Sequence, residues 1–575
     1  MGGQELKGKI IKLFALSQGR VFTTKEVARQ LSISGQGDYG AVRQALTELL
    51  GDRKIRRVGR QQYGAVVSTD RLVGRLSTIK QGGFVKSNHA EEEVYIPVRF
   101  LGTALDGDLV AVSLFAKPAS SRKVGKRWED GKKPEGEIVE ILERGRSDIV
   151  GRLEKSRNFY FVIPDDSRIS RDIYVPKQSL HGARPGEKVV VAFERWESIH
   201  LNPEGRVVEV LGKAGNARVE VLSVARAFHL PLEFPKGVLK QTRRIPETLA
   251  KEESQRRLDL RDLVCFTIDP EDANDFDDAV SLERLGTNEY RLGVHIADVS
   301  YYVQAGSELD QEASRRGTSV YLVDRVIPML PDKLSSVLCS LRPRVDRFAY
   351  SVLMTMTARG VVKDYEIRES IIRSNRRFTY EEVQRILDSG SGEFAEVLTR
   401  MHELSKELMK KRMQEGSINF ETPEVKIHLG QDGKPIEIVK KERLASHRLV
   451  EDFMLLANRI VAKHVGLYRK EEAIRPFIYR IHDAPDPAKL RDLANFVAQF
   501  GYSLHINGGV ASKALQRLLA TVHGTLEEDV INEVAIRSMA KAIYSETNIG
   551  HYGLGFKFYT HFTSPIRRYP DLVVH

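Results

Sequence analysis

An internal repeat in the N-terminal half of the sequence strongly constrains the fold. Three short segments recur at an offset of 77 to 79 residues. Residues 73–76 recur as 150–153, residues 94–97 as 173–176, and residues 106–110 as 185–189. Each copy is rich in β-branched residues and is interrupted by Gly, Asn and Asp, as is typical of short strands joined by turns. The repeat therefore predicts two tandem five-stranded OB-fold barrels.

The patterns on either side of the repeat predict further domains. A chain of 575 residues is too long for one hydrophobic core, because domains are typically ~100 to 200 residues long. The predicted divisions are a winged helix at residues 1–66, a first OB domain with a basic linker at 67–134, a second OB domain at 135–212 and a large domain at 213–575. The large domain mixes helices and strands, so the predicted fold class is multidomain α+β.

The first 66 residues predict three helices followed by a hairpin. One helix begins near Glu5, a second follows a capping box at residues 23–26, and a third covers residues 38–50. Residues 55–64 then form a short basic hairpin. A winged helix of this kind binds either nucleic acid or a protein partner, and the few basic residues on the third helix leave both interpretations open.

The second barrel carries the clearest signal for single-stranded nucleic acid. Phe159 and Phe161 alternate along a predicted strand, and basic residues lie beside them at 152–157. Exposed rings next to basic side chains stack on the bases of single strands. Residues 82–86 of the first barrel contain one aromatic, and core packing explains part of such alternation in any barrel. The sequence predicts RNA stacking by Phe159 and Phe161.

The charge balance indicates a polyanionic partner. Lys and Arg number 89 against 78 Asp and Glu, a formal net charge of +11, and residues 117–137 form a predicted exposed basic linker. No segment approaches the ~18 consecutive apolar residues of a membrane span, and the N-terminus lacks the pattern of a signal peptide. Cys265 and Cys339 are too few for a disulfide framework. The predicted compartment is the cytoplasm, without membrane association.

One acidic run stands out against this basic background. Carboxylates crowd residues 269–278, directly behind the apolar stretch 263–268, which predicts a buried strand. Like charges this close repel one another unless a multivalent cation neutralises them. Oxygen ligands of this kind hold Mg²⁺ against phosphate substrates. The run therefore predicts a Mg²⁺ site in a nucleic-acid enzyme, and aspartates that merely cap turns are the structural alternative.

The aspartates of the run occupy different local positions. Asp269 ends the predicted strand, Asp275 lies in a tight loop, and Asp277 and Asp278 open the next strand. Successive side chains of a strand point to opposite faces. Asp277 and Asp278 are therefore expected to serve different metals or different sides of one metal.

The acidic run and several later motifs together carry a specific resemblance. Downstream follow GVHIADV at 293–299, SVYL at 319–322, IPMLP at 327–331, INFETPE at 418–424, RLVEDFM at 448–454 and HFTSPIRRYPDL at 561–572. In this order the motifs are similar to the catalytic signature of the RNase II and RNase R family of exoribonucleases. The two barrels resemble that family's tandem cold-shock-like domains, and the predicted winged helix favours the RNase R branch.

The resemblance implies an RNB catalytic domain that hydrolyses RNA processively from its 3′ end. It implies release of nucleoside 5′-monophosphates by two-metal-ion catalysis, with Mg²⁺ as the cofactor and Mn²⁺ as an alternative. Asp269, Asp275, Asp277 and Asp278 would hold or position the metals. Loss of Asp277 would abolish chemistry and spare RNA binding.

The resemblance also implies contacts to RNA. Arg567 would donate to the scissile phosphate, a role that suits guanidinium geometry. Tyr321 would clamp the terminal nucleotide, Phe420 would close the base stack and Glu451 would bond a ribose hydroxyl. The expected partner is single-stranded or 3′-tailed RNA, including structured RNA with such a tail. The expected protein is a monomer that takes part in RNA turnover.

Two features depart from the resemblance, and one other function competes with it. The first barrel is poor in aromatic residues, which weakens the expectation that it stacks bases. The family continues beyond the arginine motif to a third OB domain, so the catalytic domain ending at His575 is expected to be incomplete at its C-terminal end. The competing function is a nonenzymatic RNA-binding regulator with a silent nuclease domain. The presence of the four aspartates, Tyr321 and Arg567 favours the enzyme.

Overall fold

The computed structural model of the protein consists of two compact units, Met1–His229 and Leu230–His575. It describes residues 6–10, 13, 21–31, 33, 36–51, 55–59, 62–65, 72–79, 81–87, 93–115, 134–169, 171–196, 198–418, 420, 424–467, 476–505 and 512–575. No helix among these residues is long and apolar enough to cross a membrane.

The N-terminal elements follow the predicted order of helices and strands. Residues 6–10 are helical, and β1 (Val21–Thr23), α1 (Thr24–Gln30), α2 (Gln36–Gly51), β2 (Ile55–Gly59) and β3 (Gln62–Ala65) follow. Thr23 and Glu26 form the expected capping box, each side chain accepting from the other's backbone N–H at 3.3 and 2.7 Å. The strands pair in the order β1-β3-β2, and β1 is an addition to the predicted hairpin. The winged-helix assignment stays a prediction.

Two five-stranded sheets account for the repeat. The first contains β4 (Leu72–Ile79), β5 (Gly82–Ser87), β6 (Glu93–Pro97), β7 (Leu109–Leu114) and β8 (Gly136–Glu143), and the second contains β9 (Asp148–Ser156), β10 (Phe159–Pro164), β11 (Ile173–Val175), β12 (Glu187–Arg195) and β13 (Glu204–Lys213). The second sheet is a closed barrel, in which Tyr174 of β11 pairs with Glu204 of β13. Tyr95 pairs with Glu135 at the equivalent place in the first sheet. The two copies therefore share their topology.

The structure corrects two predicted domain boundaries. The strand β8 belongs to the first sheet, which therefore extends to Glu143 and not to residue 134. The basic segment is thus an insertion between two strands of one barrel, and only its residues 134–137 lie within the described part of the chain. The other predicted boundary is at residue 212. The strand β13 ends at Lys213, and the helix α3 (Ala217–Ala227) also packs against β9 and β13, so the second barrel unit extends beyond residue 212. The residue composition of a segment indicates an exposed loop, but only the pairing of strands determines which strand is the last of a barrel.

The C-terminal unit is built on a seven-stranded sheet. In spatial order the strands are β14 (Leu258–Leu260), β21 (Val362–Arg373), β20 (Asp346–Thr357), β17 (Glu289–Ala297), β16 (Asp278–Arg284), β15 (Cys265–Asp269) and β22 (Arg376–Thr379). Alternate residues enter different apolar clusters, with Cys265 and Ala279 in one and Phe266 and Val280 in the other. Both faces of the central strands are therefore covered. The strand β15 begins two residues later than predicted, after a turn in which Leu263 donates to the Leu260 carbonyl.

Helices and small two-stranded sheets accompany this sheet. They are α4 (Lys236–Arg244), α5 (Lys251–Arg256), α6 (Glu308–Arg316), β18 (Val320–Tyr321) with β19 (Val326–Ile327), α7 (Tyr380–Ser389), α8 (Ala395–Glu415), β23 (Glu424–Leu429) with β24 (Pro435–Lys441), α9 (Ala445–Gly466), β25 (Tyr479–Ile481) with β26 (Ile543–Ser545), α10 (Pro487–Ala498), α11 (Ser512–Val522), α12 (Glu528–Ser538) and α13 (Tyr569–Val574). Helices α7 to α9 pack on the sheet in the Phe266 cluster, and α10 to α12 form a separate apolar cluster.

Candidate active site

Strand topology brings the acidic run to one edge of the large sheet. Asp269 is the last residue of β15 and Asp278 is the first residue of β16. Because β15 and β16 are antiparallel neighbours, the end of one strand and the start of the next lie together. On the other side, β22 runs parallel to β15 and places Thr379 opposite Asp269. The loop at residues 270–277 therefore returns the chain to the same edge.

Asp277 joins the acidic run to the arginine motif. Its side chain is 1% exposed and accepts the backbone N–H of Ile566 at 2.9 Å and the Nε–H of Arg567 at 2.6 Å. Arg567 also donates from Nη2 to the hydroxyl of Ser564 at 3.1 Å. Two motifs that lie far apart in the sequence therefore meet at one carboxylate.

Poor solvation governs the electrostatics of the aspartates. Burial raises the pKa of Asp277, although the Arg567 guanidinium opposes this shift. Burial and the charge of Asp269 raise the pKa of Asp278 well above its ordinary value. Burial likewise raises the pKa of Asp269 to about 7, and its Oδ2 atom is buried without a hydrogen-bond partner. The positive charge near these aspartates is therefore too small to keep their pKa values in the ordinary range.

These features fit a divalent cation. Carboxylate oxygens are the ligands that Mg²⁺ and Mn²⁺ prefer, and the buried Oδ2 of Asp269 has no hydrogen-bond partner among the described residues. Asp275 is partly buried, and its charge raises the pKa of Asp277. As the described side chains stand, no three His, Cys, Asp or Glu form a complete metal site, and Arg567 supplies the positive charge at Asp277. The type of donor atom and its burial thus suit a cation. The carboxylate side chains would have to rotate to complete the coordination of that cation.

Tyr321 lies on the exposed side of the Arg567 loop. The carbonyl of Arg567 accepts from the Ser319 N–H and from the Thr318 hydroxyl, both at 2.9 Å, which ties the loop to the segment before Tyr321. The Tyr321 side chain is 55% exposed, and its hydroxyl interacts with the Arg567 guanidinium. A half-exposed ring beside a guanidinium whose side chain is 40% exposed presents an aromatic face and a cation on one surface.

Phe420 and Glu451 each contact residues outside the aspartate cluster. Phe420 is partly buried against the cluster formed by α10 to α12. Glu451 lies on α9 and forms an ion pair with Arg443. Their contacts to RNA stay predictions.

The barrels carry matching pairs of aromatic rings. Phe159 is 61% exposed and its ring centre lies 6.2 Å from that of Tyr174, which is the cross-strand partner of Phe161. In the first barrel, Phe84 and Tyr95 are cross-strand partners at the equivalent position, with ring centres 5.3 Å apart. The first barrel therefore has two neighbouring rings where the sequence showed one, because the second ring comes from the next strand.

Comparison with known proteins decides the family. The family model for the RNB domain matches residues 257–575, and that for the cold shock domain matches residues 161–235. Ribonuclease R of Thermotoga maritima is 38% identical over 99% of this chain and 79% of its own length. The chain belongs to the ribonuclease R family. The resemblance carried by the sequence motifs is thereby confirmed.

Solved structures agree with membership of the ribonuclease R family. The chain is similar to Mycoplasma genitalium RNase R in complex with ribose methylated single-stranded RNA, with 27% identity, a TM-score of 0.80 and coverage of 88% of this chain and 78% of that one. It also shares its fold with yeast Ssd1, a pseudonuclease, at 19% identity, a TM-score of 0.66 and coverage of 94% and 70%. A shared fold therefore does not establish catalysis. Evidence for catalysis must come from the side chains of the site.

One side chain beside the aspartate cluster was not predicted from the sequence. Tyr380 directly follows Thr379, the register partner of Asp269, and burial together with the charges of Asp278 and Asp269 raises its pKa. Its ring stacks on His447 with the centres 3.9 Å apart. The only local signal was the capping box that begins α7, and it indicates a helix start without indicating what the helix faces.

Proposed function

We propose that the protein is a processive 3′ to 5′ exoribonuclease that releases nucleoside 5′-monophosphates and acts in RNA turnover. One observation carries the proposal, namely the buried Asp277 held by Ile566 and Arg567 beside the poorly solvated Asp269 and Asp278. Such a site combines the carboxylates and the guanidinium that phosphodiester hydrolysis requires. The proposed setting is a monomer in the cytoplasm.

Mg²⁺ is the proposed cofactor, with Mn²⁺ as an alternative, and Asp269, Asp275, Asp277 and Asp278 would hold it. When bound, such cations lower the pKa of water and stabilise charge on the leaving 3′ oxygen. The cation would also be a partner for the Oδ2 atom of Asp269, which has no hydrogen-bond partner among the described residues. Asp277 would then no longer depend on Arg567 for neutralisation.

The remaining residues act on the RNA itself. Arg567, released from Asp277, would donate to the scissile phosphate, because the guanidinium matches phosphate oxygens geometrically. Tyr321 would stack on the terminal nucleotide from its exposed position beside Arg567. Phe420 would close the base stack, and Glu451 would bond a ribose hydroxyl, a contact that selects RNA over DNA where that hydroxyl is the 2′-OH.

The proposed activity is tested by end-specificity. A 5′-labelled single-stranded RNA should shorten from its 3′ end in Mg²⁺, whereas a circular RNA of the same sequence and a matching DNA should survive. A duplex with a single-stranded 3′ tail distinguishes degradation through the paired region from arrest ahead of it. Tight binding to the linear RNA without any shortening would favour the competing function, an RNA-binding regulator with a silent nuclease domain.

Mg²⁺ binding should strengthen as pH rises. Burial raises the pKa of Asp269 from 3.8 to about 7, so the folded, cation-free protein keeps a proton that the unfolded chain has released. The contribution of Asp269 to the free energy of unfolding therefore decreases as the pH rises from 3.8 to about 7, and it stays constant above about pH 7. A cation requires the ionised carboxylate, so Mg²⁺ should raise the thermal midpoint more at about pH 8 than at about pH 5. Asp269→Asn should weaken this difference, and an equal Mg²⁺ effect at both pH values in the wild type would contradict it.

Single-stranded RNA should stack on the rings of the second barrel. Phe159→Ala and Phe161→Ala should each weaken RNA binding by about 1–3 kcal/mol, or about 5- to 150-fold in Kd, measured by fluorescence anisotropy. Phe228→Ala is the matched control, because Phe228 is 74% exposed and lies beyond the barrel strands at the end of α3. An unchanged Kd in both barrel variants would remove the stacking role.

A further inference from the structure

The loop that carries Arg567 closes on a buried carboxylate, Asp571. This side chain is 0% exposed and lies in the first turn of α13. Its Oδ1 accepts the backbone N–H of Ser564 at 2.9 Å and the Nη2–H of Arg568 at 2.6 Å, and its Oδ2 accepts the Nε–H of Arg568 at 2.9 Å. Asp571 therefore ties the first residue of the loop to its later part and to the following helix.

The loop closed by Asp571 supplies both donors to Asp277. These are the backbone N–H of Ile566 and the guanidinium of Arg567. Ser564, which Asp571 fixes through its N–H, accepts from Arg567 through its hydroxyl. A shift of Ser564 would therefore move the Arg567 guanidinium as well as the Ile566 amide.

The Arg568–Asp571 ion pair, in which Asp571 is 0% exposed and the Arg568 side chain is 31% exposed, is a weak source of net stability. Desolvation of both charges offsets most of their attraction, so such pairs contribute little net stability while fixing geometry closely. The outer face of the loop has separate bonds, because Ser319 and Thr318 donate to the Arg567 carbonyl. These bonds hold the Arg567 backbone and do not reach Ser564, whose carbonyl accepts from the Arg567 and Arg568 N–H groups and whose own N–H donates to Asp571.

We infer that Asp571 is a positioning residue, which acts through Ser564 and Arg568 to fix the loop that presents the Arg567 side chain and the Ile566 amide beside Asp277. The inference rests on the proposed hydrolysis of RNA for its effect on rate, and on the hydrogen bonds of the loop for its effect on structure. Asp571 itself is not expected to touch RNA. Its loss should therefore lower kcat while KM and RNA affinity stay close to wild type.

The test compares Asp571→Asn with Asp108→Asn. Asp108 is an equally buried carboxylate in the first barrel, where it accepts the Leu105 N–H at 2.9 Å, the Gly145 N–H at 2.8 Å and an Arg144 N–H at 2.8 Å. Both changes place an amide N–H against an arginine, so both should lower the thermal midpoint. Only Asp571→Asn should lower kcat, by about 10- to 100-fold, as is usual when the partner of an active-site group is removed. Assays run well below both thermal midpoints separate this effect from unfolding.

Amide hydrogen exchange supplies a second readout that does not depend on activity. Peptides covering residues 564–567 should exchange faster in Asp571→Asn and at the wild-type rate in Asp108→Asn. Arg568→Gln, which keeps the Ser564–Asp571 bond, should show a smaller change of the same kind and serves if Asp571→Asn does not fold. An unchanged kcat with unchanged exchange at 564–567 would overturn the inference. Faster exchange in a protein whose wild type does not hydrolyse RNA would leave the positioning role standing and refute the proposed function instead.

Discussion

Asp277→Asn should lower kcat for RNA hydrolysis by at least about 10³-fold, because it removes the carboxylate charge at which the acidic run and the arginine motif meet. The amide has nearly the same shape and can still accept the Ile566 N–H through its oxygen. The surface that binds RNA is unchanged, so Kd should stay within about threefold of wild type. Single-turnover rates and anisotropy on the same RNA measure the two quantities.

Glu312→Gln is the control for this change. Glu312 is also buried in the C-terminal unit and pairs with Arg315 at 2.7 Å and Arg316 at 2.8 Å, but it lies on α6 and belongs to no proposed step. Its kcat should remain near wild type. Substantial hydrolysis by Asp277→Asn, or loss of RNA binding together with activity, would show that Asp277 does not serve chemistry alone.

Arg567→Lys should lower kcat by about 10²- to 10³-fold with a smaller effect on KM. Lysine keeps the positive charge but lacks the planar fork that can contact Ser564, Asp277 and a phosphate at fixed angles. The expected defect therefore concerns geometry in the transition state more than attraction of RNA. Steady-state kinetics on a short single-stranded RNA separates kcat from KM.

Arg412→Lys tests whether any buried Arg–Asp pair would give the same result. Arg412 donates to the buried Asp452 at 2.8 Å, between α8 and α9. Its replacement should affect the thermal midpoint and leave kcat close to wild type. If Arg567→Lys hydrolyses RNA at the wild-type rate, Arg567 contributes only charge or only structure, and its proposed role at the phosphate is wrong.

Features set by neighbouring residues could be predicted from the sequence. The capping box at Thr23 begins a helix, and the apolar stretch before Asp269 forms a strand that ends at this residue. Both depend on interactions within a few positions, which the order of residues displays directly. Membership of the ribonuclease R family could likewise be read from the order of the motifs.

Features that depend on pairing between distant segments could not be predicted. The ring of Tyr95 completes the pair with Phe84 only through strand register, and β8 joins the first barrel across a basic insertion. Tyr380 owes its place to β22, which pairs beside β15. Nothing in the residues next to them records these partners.

The most direct test of the proposed activity is the identity of the product formed in ¹⁸O-labelled water. Incubation of single-stranded RNA with the protein and Mg²⁺ should release nucleoside 5′-monophosphates, each carrying one solvent oxygen at phosphorus, as measured by mass spectrometry. Chelation of the cation or Asp277→Asn should abolish them. Release of nucleoside 3′-phosphates, of diphosphates in the presence of inorganic phosphate, or of no product would contradict hydrolysis at this carboxylate site.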